Sequence, residues 1–203
     1  TREQVAQISF NRPHRLNAVV TEFYREVLDA LSRAQNDGNV RVIVLTGKGR
    51  AFCVGADLKE HGKGERTEEQ KREYTKLGDE ACRRIYAHDK VVIAAVNGYA
   101  LGAGAEMACS SDFILMKETA EIGFPETSIG TYIGGGLTEI LPRMVGLAKA
   151  RELIMTGVKL NGSQAFQIGL ASRVFPEDEY EQGVLRFAET IASKAPYSMR
   201  FAK

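Results

Sequence analysis

Two stretches of the chain place a carboxylate where proteins usually avoid one. Leu101-Gly-Ala-Gly-Ala-Glu106-Met-Ala and Gly123-Phe-Pro-Glu126-Thr-Ser-Ile-Gly130 each set one acid among small or apolar residues, beside backbone that glycine leaves bare. A glutamate buried there as an unpaired anion costs several kcal/mol. Two of them near a glycine-rich turn suggest a water or a proton held between acids, with exposed amides facing a substrate oxygen. Gly55-Ala56-Asp57 shares with Leu101-Gly-Ala-Gly104 a tight turn that bares N–H groups. The second turn lies at a helix start, where unpaired amides and the dipole favour developing negative charge. Taken singly, each turn has an ordinary structural reading, Glu106 is a helix acid awaiting an arginine, and Glu126 is a capping loop residue. Their combination, in this order and spacing, favours a catalytic site.

Short strands alternating with helices must position these groups. Val5-Ala-Gln-Ile-Ser-Phe10 reads as a strand closed by Asn11-Arg-Pro13. Thr21–Asn36 shows helical spacing of Phe23, Val27, Leu28, Leu31 and Ala34, with Thr21 as cap and Asp37-Gly38 as stop. Residues 40–46 form a β-branched run expected to be a buried strand. Gly47-Lys-Gly49 turns out of it, and a second short strand leads into the connection that ends at Leu58. A charged helix is predicted over 67–86, and a strand over 91–96. Asn97-Gly98 then turns the chain, and Gly102 to Gly104 opens the helix carrying Glu106. Strands follow at 113–116 and 122–124. Residues 137–156 read as helical with a break at Pro142, 163–168 as a short helix, 172–175 as a strand and 179–194 as a helix. The class is α/β with at least partly parallel pairing. No repeat is visible by residue identity.

Composition excludes several function classes. A formal net charge of +1 gives no global field for nucleic acid or an anionic membrane. Mixed signs from Arg66 to Arg84 (Glu68, Glu69, Lys71, Arg72, Glu73, Lys76, Asp79, Glu80) read as a solvated helix face. Cys53, Cys82 and Cys109 have no metal or disulfide spacing and suit a reducing compartment; three scattered histidines make no metal centre. Residues 91–108 are apolar, but Asn97, the glycines and Glu106 interrupt them as a buried strand, turn and helix start would. No signal peptide is expected. The chain begins at Thr1 and ends on Lys203 in a running helix, which reads as part of a longer protein.

Gly55-Ala-Asp-Leu-Lys59, then Val92-Ile-Ala-Ala-Val-Asn-Gly-Tyr-Ala-Leu-Gly-Ala-Gly-Ala-Glu106, then Gly123-Phe-Pro-Glu126 to Gly136, resemble the enoyl-CoA hydratase/isomerase (crotonase) superfamily. Asn11-Arg-Pro, Leu16-Asn-Ala18, Leu141-Pro-Arg, Leu153-Ile-Met-Thr-Gly157 and Ala165-Phe-Gln-Ile-Gly-Leu170 are similar too, so the resemblance spans nearly the whole chain. It implies one domain over 1–203, a spiral of short β-β-α units to about residue 160 and the start of a C-terminal helical part after it. It implies an oxyanion hole from the Ala56 and Ala103 amides. Many members have glycine at the Ala103 position, and alanine preserves the amide only at negative φ. Glu106 matches the acid that activates water for attack at C3, Glu126 the acid that protonates C2, and Gly134 a backbone group that positions the water. Two such carboxylates titrate as a pair.

The backbone of Val54, Ala56 and Leu58 is expected to meet the adenine and pantetheine of coenzyme A, with Lys59, His14 and Leu16 nearby. Coenzyme A comes as part of the substrate, so no separate cofactor or metal is implied. A homotrimer or dimer of trimers, without nucleic acid or membrane, in the cytoplasm or a mitochondrial matrix, is the expected setting, with a role in fatty-acid metabolism. The usual proline before the central strand is replaced by Lys90-Val91, with no functional effect expected. Family members continue for several helices past the equivalent of Lys203, capping the acyl pocket and joining the trimer. Retention of both acids favours hydratase over isomerase or another acyl-CoA reaction. The alternative is a coenzyme-A-binding or RNA-binding role; RNA binding would use 71–84, where Glu73, Asp79 and Glu80 argue against a phosphate track. The acyl group is not legible in Tyr74, Leu77 or Tyr132.

Overall fold

The computed structural model describes residues 4–61 and 67–203. Its strands are β1 (Val5–Phe10), β2 (Val42–Gly47), β3 (Ala51–Cys53), β4 (Val91–Val96), β5 (Tyr99–Leu101), β6 (Phe113–Lys117), β7 (Glu121–Gly123), β8 (Leu160–Asn161) and β9 (Arg173–Phe175). Its helices are α1 (Thr21–Asn36), α2 (Leu58–His61), α3 (Glu68–Tyr86), α4 (Ala103–Cys109), α5 (Leu137–Val145), α6 (Leu147–Thr156), α7 (Gly162–Gln167), α8 (Tyr180–Ala192) and α9 (Pro196–Ala202). One sheet has the order β1-β2-β4-β6-β9 and is parallel throughout. The other has the order β3-β5-β7-β8, parallel except for β8. Each winding of the chain gives one strand to each sheet: β2 and β3, β4 and β5, β6 and β7.

The larger sheet is covered on both faces, as its near-continuous apolar strands require. Side chains alternate with period two. Ile43, Leu45, Val92, Ala94, Val96, Ile114 and Met116 face the core shared with α1, α3 and α4. Val42, Val44, Val91, Ile93, Ala95 and Leu115 face Tyr180, Val184, Ala188 and Ala192 of α8. A Thr67–Gln70 capping box starts α3. Lys90 donates to the carbonyls of Ala34 and Asp37 at 2.6 and 2.7 Å, closing the end of α1. Among the described residues no helix is long and apolar enough to cross a membrane.

Several boundaries differ from the sequence expectation. Thr21 does not cap α1; Val20 does, in extended conformation and without a side-chain bond. The bridge between Val19 and Ala56 keeps the chain extended to that point, so the helix begins at Thr21 itself. Residues 137–156 break at Gly146, not at Pro142. Proline removes a single bond, whereas Gly146 at φ +81° leaves helical space and its N–H closes on the Pro142 carbonyl. Strand β2 starts at Val42 because the Val40 N–H turns back to Asp37. Phe124 leaves β7 because Pro125 opens a 3-10 turn, Pro125–Ile129. The segment His61 to Leu77, which the family resemblance makes a wall of the acyl pocket, lies partly outside the described residues.

Candidate active site

Helix α4 is the centre of the site. Gly104 lets it lie against β3: a methyl group there would sit 2.0 Å from the Cys53 carbonyl oxygen. Gly55, at φ +82°, approaches the turn before α4, where a methyl group would lie 2.9 Å from the Leu101 oxygen and 3.3 Å from the Ala103 amide nitrogen. The two expected amides therefore stand on turns in contact. Ala103 is the first helical residue, outside the positive-φ set, so its amide survives the change from glycine and has no partner within the helix. Val19 pairs with the Gly55 carbonyl and the Asp57 amide, which flank Ala56. In that parallel bridge the Ala56 N–H points away from Val19.

Two motifs fasten this turn from behind. Asn17, buried at φ +58°, donates to the Lys48 and Ala51 carbonyls and accepts from the Arg12 amide. Arg12 donates to the Ala18 carbonyl and pairs with buried Asp57 at 3.2 Å. Asn17 lay within a recognised motif, but its role as a suture needed the fold to appear. Val54 is half-buried, while Leu58 (63% exposed) and Lys59 stand open at the start of α2. His14 is exposed in the Pro13–Arg15 turn and Leu16 half-buried just after it; neither makes a side-chain hydrogen bond among the described residues.

Glu106 and Glu126 are both buried. Glu106 accepts the Gly134 N–H at 2.7 Å. The amide expected to position water thus holds the carboxylate itself. Glu126 sits in the 3-10 turn with Oε1 beside Gly102, 2.9 Å from where a methyl group there would be. Its Oε2 is buried with no hydrogen-bond partner among the described residues. No arginine or lysine neutralises either acid among the described residues. Burial pushes Glu106 up to about 7, against the Gly134 N–H, with Glu126 and Asp79 raising it further. Burial also raises Glu126, partly offset by a backbone amide. Cys53 and Cys82 are nearby, but burial lifts each thiol to about 12, so neither supplies a thiolate.

Asp79 of α3 was not singled out from the charged run. Its Oδ1 accepts the Gly135 N–H at 3.2 Å and so braces the loop that holds Glu106. No sequence signal separates it from its solvated neighbours; only the loop's return to α3 does.

A raised carboxyl has a consequence for stability. Glu106 binds its proton more tightly folded than unfolded, so its contribution is full below its usual 4.5 and is lost as pH rises through about 7. Glu106→Gln is therefore expected to be more stable than the parent at pH 8, by up to roughly 3 kcal/mol, and nearly equal to it at pH 4. Thermal unfolding at the two pH values measures this. Equal differences at both would mean that Glu106 has an ordinary carboxyl pKa.

Comparison with known proteins places the chain in a family. Residues 1–203 match the family described as enoyl-CoA hydratase/isomerase. A crotonyl-CoA hydratase of Syntrophomonas wolfei is 37% identical over 202 residues, 99% of this chain and 77% of that protein. A short-chain-enoyl-CoA hydratase of Clostridium acetobutylicum is 35% identical over 201 residues, 98% of this chain and 76% of that one. The crystal structure of an enoyl-CoA hydratase from Bacillus anthracis superposes with a TM-score of 0.93 at 36% identity, covering 98% of this chain and 77% of that chain.

Proposed function

The chain belongs to the enoyl-CoA hydratase/isomerase family, and from that membership we propose that its residues add water syn across the 2,3 double bond of an enoyl-CoA thioester. The thioester oxygen rests between the amides of Ala56 and Ala103, where enolate charge develops. Glu106 takes a proton from water as the water oxygen bonds to C3. Glu126 gives a proton to C2 as the enolate collapses, and one proton exchange with solvent resets the pair. Gly134 serves by fixing the Glu106 carboxylate that holds the water. Coenzyme A enters as the substrate's handle, met by Val54, Ala56 and Leu58 with Lys59, His14 and Leu16 close by. Its remote binding energy fixes the reacting end, and no separate cofactor is needed.

One observation carries this reading: two buried carboxylates stand beside the start of one helix, and among the described residues no cation neutralises either. Such a pair keeps a base and an acid together near neutral pH. A homotrimer or dimer of trimers is proposed from the family resemblance, and exposed apolar Ile129, Leu147 and Met155 are available for contacts between copies. Three buried free cysteines suit a reducing compartment, the cytoplasm or a mitochondrial matrix.

Mixing the protein with crotonyl-CoA should remove the ultraviolet absorbance of the conjugated thioester as 3-hydroxybutyryl-CoA accumulates in equal amount. Binding of coenzyme A without such loss, for crotonyl-CoA and for longer and aromatic enoyl thioesters alike, would sink the hydratase reading.

A further inference from the structure

The two acids are held in different ways. Glu106 stands on α4, and the Gly134 N–H holds its carboxyl at 2.7 Å. Glu126 has no such hold. Its Oε2 is without a partner among the described residues, and the backbone amide that bonds its carboxyl is its own. Where that carboxyl stands is therefore decided by whatever fixes the backbone of the Pro125–Ile129 turn. Within the turn, the Gly130 and Thr131 N–H groups both close on the Glu126 carbonyl. Those bonds set the shape of the turn but not its place in the molecule.

The end of α6 sets the place. This helix closes with Gly157 at φ +65°, whose N–H returns to the Leu153 carbonyl. The next N–H, that of Val158, would continue the ladder to the Ile154 carbonyl, but it goes to Thr156 Oγ1 at 3.3 Å. Ile154 is left with a carbonyl that no backbone amide takes among the described residues. Thr127 takes it. Its hydroxyl donates to the Ile154 oxygen at 3.0 Å, from 27 positions away in sequence. Gly157 lets the two elements close: a methyl group there would lie 2.8 Å from Ser128 Oγ and 3.6 Å from both the Phe124 oxygen and Pro125 Cα. The end of α6 thus meets the chain on either side of Glu126, and Phe124 and Leu153 share one buried core. Glu126 Oε1 in turn stands beside Gly102, one residue before the Ala103 amide.

We propose that Thr127 is a positioning residue for the proton donor: its bond to Ile154 seats the turn on α6 and so fixes the Glu126 carboxyl beside the Gly102 turn, within reach of C2 of the enoyl thioester. The inference rests on the hydratase reading and deepens it. Thr127 itself exchanges no proton. Misplacement of a reacting group by about 1 Å can cost about a hundredfold in rate, and loss of one of several contacts costs less.

Thr127→Val tests this, because valine keeps the β-branched shape and removes the hydroxyl. Position 127 is exposed, so no cavity follows, and the unfolding temperature is expected to fall by no more than about 4 °C. With crotonyl-CoA the variant should lose about tenfold in kcat with KM within about twofold. Thr127→Ser returns the hydroxyl and should recover kcat to within about twofold of the parent. The same Thr127→Val change is then made on Glu126→Gln. With no proton left to place there, it should lower the residual kcat by less than about twofold. An unchanged kcat in Thr127→Val overturns the proposal. So does an equal loss in both backgrounds, which would assign Thr127 to the fold at large, and so does a Thr127→Ser as slow as Thr127→Val. A parent that hydrates no enoyl thioester removes the hydratase reading, and the positioning role falls with it.

Discussion

Glu126→Gln should lower kcat for enoyl-CoA hydration by about a thousandfold while KM stays within about threefold, and Glu106→Gln should do the same. Glutamine fills the volume of either acid and still accepts the Gly134 N–H at position 106. What it removes is a proton that can be given or taken. In the proposed mechanism the substrate is held by the turn amides and by coenzyme A contacts, so ground-state binding has little reason to change. The pair acts on one addition, so the double variant should lose little more than either single one. The pH profile separates the roles further. Parent kcat/KM should rise with pH through about 7 as Glu106 ionises. In Glu126→Gln the neighbouring carboxyl no longer raises Glu106, so the acid limb of the residual activity should move down. An acid limb that stays in place would mean that Glu106 is not the group being read. Steady-state kinetics from pH 5 to 9 decide it.

The legibility of this chain followed a physical pattern. Runs whose every residue is buried, such as Val91–Val96, announce themselves because nothing but a covered strand tolerates them. Glu106 and Glu126 stand out for the opposite reason, as polar groups in apolar settings whose combination points to a function. What stayed hidden depended on residues distant in sequence. Thr21 has the composition of a cap, but a bridge from Val19 to Ala56 decides where the helix starts. Pro142 looks like a breaker, yet the helix absorbs it and Gly146 ends the run. Strand β5 has three residues, too few for a period to show. Asp79 looks solvated in any charge count, and its meaning comes from Gly135 across 56 positions. Coenzyme A contacts at Val54, Leu58 and Lys59 were named by resemblance, and local pattern alone carries no mark of them.

Gly104→Ala should damage both the fold and the reaction, although alanine is the better helix former by about 1 kcal/mol. The added carbon would meet the Cys53 carbonyl oxygen at 2.0 Å, its carbon at 2.7 Å and the Cys53 Cβ at 2.9 Å. All three belong to fully buried β3, so no flexible side chain can step aside. Relief must come from α4 sliding away from β3. That motion separates the Ala56 turn from the Ala103 amide and carries Glu106 off the Gly134 N–H. Overpacking of this kind costs about 3 kcal/mol or more where the neighbour is backbone. Misplacing one donor of an oxyanion hole costs about 10²–10³ in kcat. The expected result is a lower unfolding temperature together with at least a hundredfold loss of kcat in the fraction that folds. Ala103→Gly is the matched control, since it keeps the amide and the helical backbone while removing only a side chain. It should retain kcat within about threefold and lose no more than about 1 kcal/mol of stability. If Gly104→Ala turns over like the parent, close packing of α4 on β3 is not what aligns the two amides, and the hole must be assigned to other donors.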